Sequence, residues 1–218
     1  MFHEKMGKLK ILLQKYNIVG YVVTSSDEYF NEYTPNRTKR LEYITNFTGS
    51  NGIAILTLEH NLFFTDGRYL TQSKKELDSS FQIFDIGDLK IFDFSKFFKS
   101  DDVIGYDPSI FTCKTIELFN NVKLFPIDEN LIDLMWEDRP LFSNLPIYVQ
   151  EEEFAGKSYR QKIEDIRLFL KQKDADHLLI TYPEITSWLL NLRSSDIDYV
   201  PIILGNLIIS LNQIYLFI

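Results

Sequence analysis

The chain has 218 residues, a formal net charge of −8 and a pI near 5.0, which argues against a nucleic-acid binder held by phosphate contacts and makes no nucleic-acid partner the expectation. Hydrophobic residues at 45% and charged residues at 25% exclude disorder as the main state, and 18 Phe and 12 Tyr provide for a sizeable core. The lone cysteine, Cys113, excludes an internal disulfide and a multi-thiolate metal site; with no apolar run of about 18 residues and no signal-like N-terminus, neither a membrane partner nor export is expected, and cytoplasmic is the default.

Leu9, Leu12 and Leu13 mark one face of a first helix over about 3–16, and Ile18 to Thr24 reads as a short buried strand. A polar loop over 25–38, punctuated by Pro35-Asn36, leads to a short helix over 40–45. The apolar runs 53–58 and 61–65, joined at Glu59-His60, read as a hairpin. A helix over 68–77 and strands over 81–86, 103–106 and, more weakly, 122–126 follow. Residues 140–153 are rich in proline and polar groups, and the acidic run Glu151-Glu152-Glu153 reads as a solvated linker face. An amphipathic helix over 159–173, a strand over 177–181 and a helix beginning at Pro183 and running to Leu192 come next. Residues 202–204 and 207–211 are strand-like, and the chain ends in Tyr215-Leu216-Phe217-Ile218.

The chain also repeats itself. Leu12-Leu13 falls on Phe169-Leu170, and Tyr21-Val22-Val23-Thr24 on Leu178-Leu179-Ile180-Thr181, with Asp27 on Glu184. Asn46-Phe47 falls on Asn191-Leu192, and Ile55-Leu56-Thr57-Leu58 on Ile208-Ile209-Ser210-Leu211, with Phe64 on Phe217. Blocks in one order predict two related α/β domains, each reading helix, strand, loop, short helix, hairpin. The expected organisation is a domain over 1–140, a linker over 141–156, and a truncated second copy over 157–218. Copy one runs on to about residue 140 whereas copy two stops at the partner of Thr65, so the chain reads as the front part of a longer protein.

Glu32-Tyr33, Arg40, Phe47-Thr48-Gly49-Ser50, Gly52 and Thr65-Asp66-Gly67-Arg68-Tyr69 together resemble the N-terminal domain of the X-Pro aminopeptidases in the creatinase/prolidase family. Trp188 to Arg193, Asp196-Ile197 and Tyr199 resemble the second domain of its larger members; Ser194 departs from the glycine usual there. The resemblance implies an α/β creatinase N-terminal-like (ribonuclease H-like) fold, a mixed sheet flanked by helices, followed by an incomplete second copy. It also implies a complete enzyme that removes the N-terminal residue from peptides with proline second. That enzyme would be a homodimer, with two divalent metals, manganese by the family's habit, in a pita-bread catalytic domain outside this chain. No catalytic or metal-binding residue is therefore expected here, and the parts left to this chain are substrate-end closure and oligomer contacts. His3, His60 and His177 are not placed to act as ligands together.

Arg68 is the expected substrate contact by that resemblance, or a salt-bridge partner of Glu32 or Asp66 that holds the loop; both roles are compatible. Glu32, Asp66, Gly67 and Tyr69 form the supporting loop, with Asp66 expected to cap the following helix. Gly49, Gly52 and Gly67 are read as turn residues needing positive φ or close backbone approach. Trp188 is read as core. The alternative function is a free-standing, non-catalytic binding module, or the product of a decayed gene.

Overall fold

A computed structural model describes residues 2–143 and 145–218, which divide into two units on either side of the 140/141 boundary. In the first unit the elements are α1 (Phe2–Lys15), β1 (Gly20–Thr24), α2 (Arg40–Thr45), β2 (Ile53–Thr57), β3 (Asn61–Thr65), α3 (Leu70–Glu76), β4 (Phe81–Asp85), β5 (Val103–Tyr106), α4 (Cys113–Glu117), β6 (Lys123–Pro126) and α5 (Leu131–Met135). A mixed six-stranded sheet runs β4-β3-β2-β1-β5-β6: β1–β2 and β2–β3 are antiparallel, and the other pairs are parallel.

Alternation along the strands divides the core between the two faces. Tyr21, Val23, Ala54, Leu56 and Phe63 face Leu9 and Leu13 of α1, Leu41 and Ile44 of α2, and Leu131 and Ile132 of α5. Val22, Ile53, Ile55, Leu62, Phe64 and Ile104 face an aromatic layer on the other side. There Phe64, Phe84, Phe92 and Phe94 meet mostly edge to face, which suits the ring quadrupoles.

The second unit contains β7 (Tyr148–Val149), α6 (Glu152–Ala155), α7 (Tyr159–Gln172), β8 (His177–Ile180), α8 (Pro183–Leu190), β9 (Leu192–Arg193), β10 (Asn206–Ser210) and β11 (Ile214–Phe217). An antiparallel sheet runs β11-β10-β8, and β7 pairs with β9. Ser158 and Gln161 close a capping box at the start of α7, and proline opens α8. Ile163, Ile180, Leu189, Leu207 and Ile209 form this unit's core.

The repeat is visible in the pairing register. Val22 pairs with Ile55, and Ile55 with Leu62; at the equivalent places Leu179 pairs with Ile208, and Ile208 with Tyr215. After the equivalent helices α1 and α7 the chain passes through a left-handed residue, Asn17 at φ 54° and Asp174 at φ 51°.

Several sequence expectations need correction. Residues 202–204 form no strand, because the Ile203 amide donates to the Ser187 hydroxyl (2.9 Å) instead of to a neighbouring strand. The helix expected from Arg68 begins at Leu70, because the residues before it are taken up in a turn. Trp188 is not core: α8 buries Pro183, Thr186, Ser187 and Leu189, which leaves Trp188 on the outward side at 55% exposure. The acidic run is exposed as expected, although Glu152 and Glu153 begin the short helix α6.

Candidate functional site

The recognised loop residues meet where the β2–β3 hairpin opens. Ile53 pairs with Phe64, so the residues just before β2 lie beside those just after β3. The Thr65 hydroxyl donates to the Asn51 carbonyl (2.6 Å) and closes the hairpin mouth. Asn51 Nδ2 then donates to Asp66 Oδ2 (2.8 Å).

Asp66 carries the next turn. Its Oδ1 accepts the Arg68 amide (3.0 Å), and its carbonyl accepts the Tyr69 amide (2.9 Å). The same carboxylate takes the Arg68 guanidinium by two bonds, from Nε and Nη2, both 2.9 Å. The Arg68 hydrogen bonds, followed by the one from Asn51, hold the Asp66 carboxyl well below the usual carboxylate range. The pair in turn raises the pKa of Arg68. Arg68 remains 66% exposed, with its guanidinium carbon 5.0 Å from the centre of the Tyr69 ring.

Tyr69 is fixed from two sides, by a 2.8 Å hydrogen bond between its hydroxyl and that of Ser50 and by edge-on contact with Phe47. This packing explains two of the glycines. A Cβ on Gly49 would stand 2.3 Å from the Phe47 ring and 2.9 Å from that of Tyr69; one on Gly52 would stand 2.8 Å from the Phe63 ring.

Asp66, Arg68 and Tyr69 are thus assembled on one shoulder of the hairpin, whereas Glu32 stands exposed and reaches Arg68 only through its charge. Asp66 does not cap α3, whose N-cap is Tyr69 with no side-chain bond; its carboxylate is spent on the Arg68 turn. Gly67 needs neither positive φ nor close approach, since a Cβ there would meet nothing within 4 Å. The turn is imposed by the Asp66 side chain, and a Cβ at 67 would not disturb it. Asn51 has no role in the sequence reading, and the structure adds it to the site. Its position beside a glycine, across the hairpin from Asp66, is the signal that could have found it.

Arg40 belongs to a separate, structural network. It is 2% exposed, and its Nε and Nη2 bond both oxygens of Asp133 (2.8 Å each), while Nη2 also reaches Glu28. Burial alone would lower the Arg40 pKa, but the bonds to Asp133 and Glu28 raise it on balance. Arg139 adds a second contact to Asp133 at 2.8 Å, so the network joins the loop after β1 to α2 and α5.

In the second unit Lys162 is buried beside the end of α8. Its ammonium donates to the Trp188 carbonyl and to Asn191 Oδ1, both at 2.7 Å, and lies 4.1 Å from the centre of the Trp188 ring. Trp188 lines an apolar groove of about 370 Å³ with Ile166, Leu178, Leu179, Tyr182 and Ile185. Ser194 is buried, and its hydroxyl bonds the Asp196 carboxylate. Among the described residues no group of three or more His, Cys, Asp or Glu side chains is placed to hold a metal ion.

Comparison with known proteins agrees with these features. Residues 5–135 match the Creatinase/Prolidase N-terminal domain, and residues 138–218 match a second profile of the same description. The chain is 32% identical over 235 residues to Xaa-Pro aminopeptidase app-1 of Caenorhabditis elegans, covering 99% of this chain and 38% of that protein. It is 31% identical over 226 residues to a "Probable Xaa-Pro aminopeptidase P" of Laccaria bicolor, covering 99% and 35%. The crystal structure of X-prolyl aminopeptidase from C. elegans, described as a cytosolic enzyme with a di-nuclear active site, superposes with a TM-score of 0.89 at 30% identity. That superposition covers 100% of this chain and 39% of the other. The chain therefore spans little more than a third of the relatives it matches, and it aligns with their N-terminal part. With the hairpin-mouth motif in place and the domain profile matched over most of its length, this chain belongs to the creatinase/prolidase N-terminal domain family.

Proposed function

We propose that the chain is the non-catalytic, substrate-end part of an Xaa-Pro aminopeptidase, an enzyme that releases the N-terminal residue from peptides with proline second. Residues 1–140 and 157–218 serve as two related domains connected through the linker 141–156, a stretch that also lends β7 to the second unit. The chemistry belongs to a metal-bearing domain outside this chain, with two divalent ions, manganese in this reading, and the assembled protein is a cytosolic homodimer. Arg68 reaches the bound peptide, and Glu32, Asp66, Gly67 and Tyr69 form the loop that presents it.

The observation that carries this reading is the state of Arg68. Asp66 engages Nε and Nη2, which leaves an exposed, oriented guanidinium with N–H groups available to a peptide carbonyl. A mobile lysine would not offer that fixed fork.

The test is a titration of the ¹⁵N-labelled chain with a short Xaa-Pro peptide. Shift changes should concentrate at Arg68 Nε–H, Ser50, Asn51 and Tyr69 and vanish in Arg68→Ala. The same protein with added manganese should leave the peptide intact. Chelator-sensitive hydrolysis by the chain alone, or peptide shifts unaffected by Arg68→Ala, would overturn the reading.

A further inference from the structure

We infer that Asn51 is a positioning residue for Arg68, acting through the carboxylate of Asp66. The inference rests on the reading of Arg68 as the peptide contact and adds the device that sets its direction.

The geometry is a relay across the hairpin mouth. Asp66 has two carboxylate oxygens, and both face Arg68: Oδ1 accepts its Nε–H and its backbone amide, and Oδ2 accepts Nη2. A carboxylate on an exposed turn can rotate about χ2, and a rotated Asp66 would offer one oxygen in place of two. The Asn51 amide restrains that rotation by donating to Oδ2 (2.8 Å).

Asn51 is itself anchored through its main chain. Its carbonyl accepts the Thr65 hydroxyl, while the next residue, Gly52, exchanges bonds with Ser25: the Ser25 amide donates to the Gly52 carbonyl (3.0 Å) and the Gly52 amide to the Ser25 hydroxyl (3.3 Å). The side chain of Asn51 is therefore held by the sheet, and it transmits that rigidity to a guanidinium that would otherwise sample many rotamers. Ser50, one residue earlier, supports the other neighbour of Arg68 through the Tyr69 hydroxyl. One turn thus supports both residues that flank the direction of Arg68.

The choice of amide is chemically specific. Aspartate at 51 would be nearly the same size but could only accept, and its charge would stand against Asp66. Alanine would leave Oδ2 to water. Neither change touches the main-chain bonds that close the hairpin, so the fold should survive both.

The experiment measures Arg68 Nε–H exchange by NMR in the 218-residue chain, comparing wild type with Asn51→Ala, Asn51→Asp and, as a control for the ion pair, Asp66→Asn. Asn51→Ala should speed exchange roughly two- to tenfold, the equivalent of one net hydrogen bond, and Asn51→Asp should speed it more. The Asp66 carboxyl should titrate at higher pH in Asn51→Ala, while the melting temperature stays near that of wild type. If Arg68 Nε–H exchange is unchanged in Asn51→Ala while Asp66→Asn accelerates it, the inference fails. If thermal stability falls in parallel with any loss of Arg68 order, Asn51 is a fold residue and the inference also fails. Peptide shifts insensitive to Arg68→Ala would defeat the peptide-contact reading instead and leave the relay standing.

Discussion

Asn46 and Asn191 occupy the same place in the two units: each ends its helix in the left-handed region, at φ 64° and 54°, and each returns its backbone N–H to a carbonyl of the last turn. Asparagine tolerates this conformation because its short polar side chain clashes less than most. Their surroundings differ. Asn46 is exposed, whereas Asn191 is buried, accepts the Lys162 ammonium and donates to the Lys157 carbonyl (3.0 Å).

Glycine at these two positions should therefore have different effects. Asn46→Gly should leave stability within a few tenths of a kcal/mol, and Asn46→Ala should cost about 1 kcal/mol from backbone strain. Asn191→Gly should cost about 1.5–3 kcal/mol, because it removes an acceptor from a buried ammonium. Urea unfolding followed by residue-resolved hydrogen exchange reads each unit by itself. Equal, small effects of the two glycine variants would show that the Lys162–Asn191 bond contributes little.

Arg40→Ala should be among the most damaging single changes in the first unit. It leaves Glu28 without its cation and Asp133 with Arg139 alone, a loss on the order of 3 kcal/mol, the low end of the range for breaking a buried pair from one side because Arg139 remains. The network also predicts a pH dependence. Burial pushes the Glu28 carboxyl up, but the bond and charge of Arg40 outweigh it and hold the carboxyl below its ordinary value. A depressed folded pKa stabilises the fold fully above the unfolded value, about 4.3, and the contribution is lost as pH falls through the lower folded value. Acid titration of unfolding should therefore show a steeper loss in wild type than in Arg40→Ala, and parallel curves would refute the assignment.

Arg68→Ala should leave the melting temperature of the chain almost unchanged, since the pair with Asp66 lies on the surface. Its effect should appear first in the Asp66 carboxyl, which should move up towards the ordinary range once its largest stabilising partner is gone. In wild type the pair should persist from neutral pH well into acid, because Asp66 must be protonated before it releases the guanidinium. In a longer polypeptide with peptidase activity, the substitution should lower kcat/KM for Xaa-Pro peptides roughly tenfold or more. A large loss of thermal stability with unchanged kinetics would make Arg68 a structural residue only.

The two faces of the second unit's sheet should respond oppositely to substitution. Leu207 and Ile209 are buried, whereas Leu179 is 62% exposed and Tyr215 and Phe217 are also exposed on the other face. Ile209→Ala should cost about 2–5 kcal/mol, and Leu179→Thr should cost little while reducing binding of a hydrophobic dye. A strongly destabilised Leu179→Thr would mean that this face is covered in solution.

Much of this architecture was legible in the chain itself, because it depends on local regularities. The continuous apolar runs over 18–24, 53–58 and 61–65, the leucine spacing of α1, the proline opening α8 and the order of the repeated blocks all depend on neighbours a few residues apart, and each maps onto an observed element or onto the shared register. The loop motif was legible as well, and with it the family. What lay beyond local reading depended on contacts between distant positions. Asn51 and Asp66 are 15 residues apart and meet only because the hairpin register sets Ile53 against Phe64. That meeting sets Asp66 beside Arg68, whose turn its carboxylate takes up instead of a helix cap. Trp188 was misread for the same kind of reason: its helix has one buried face, and which residues occupy it is decided by the packing of α8 on α7 and β10. Periodicity specifies that a face is buried; only tertiary packing selects the side chains left outside.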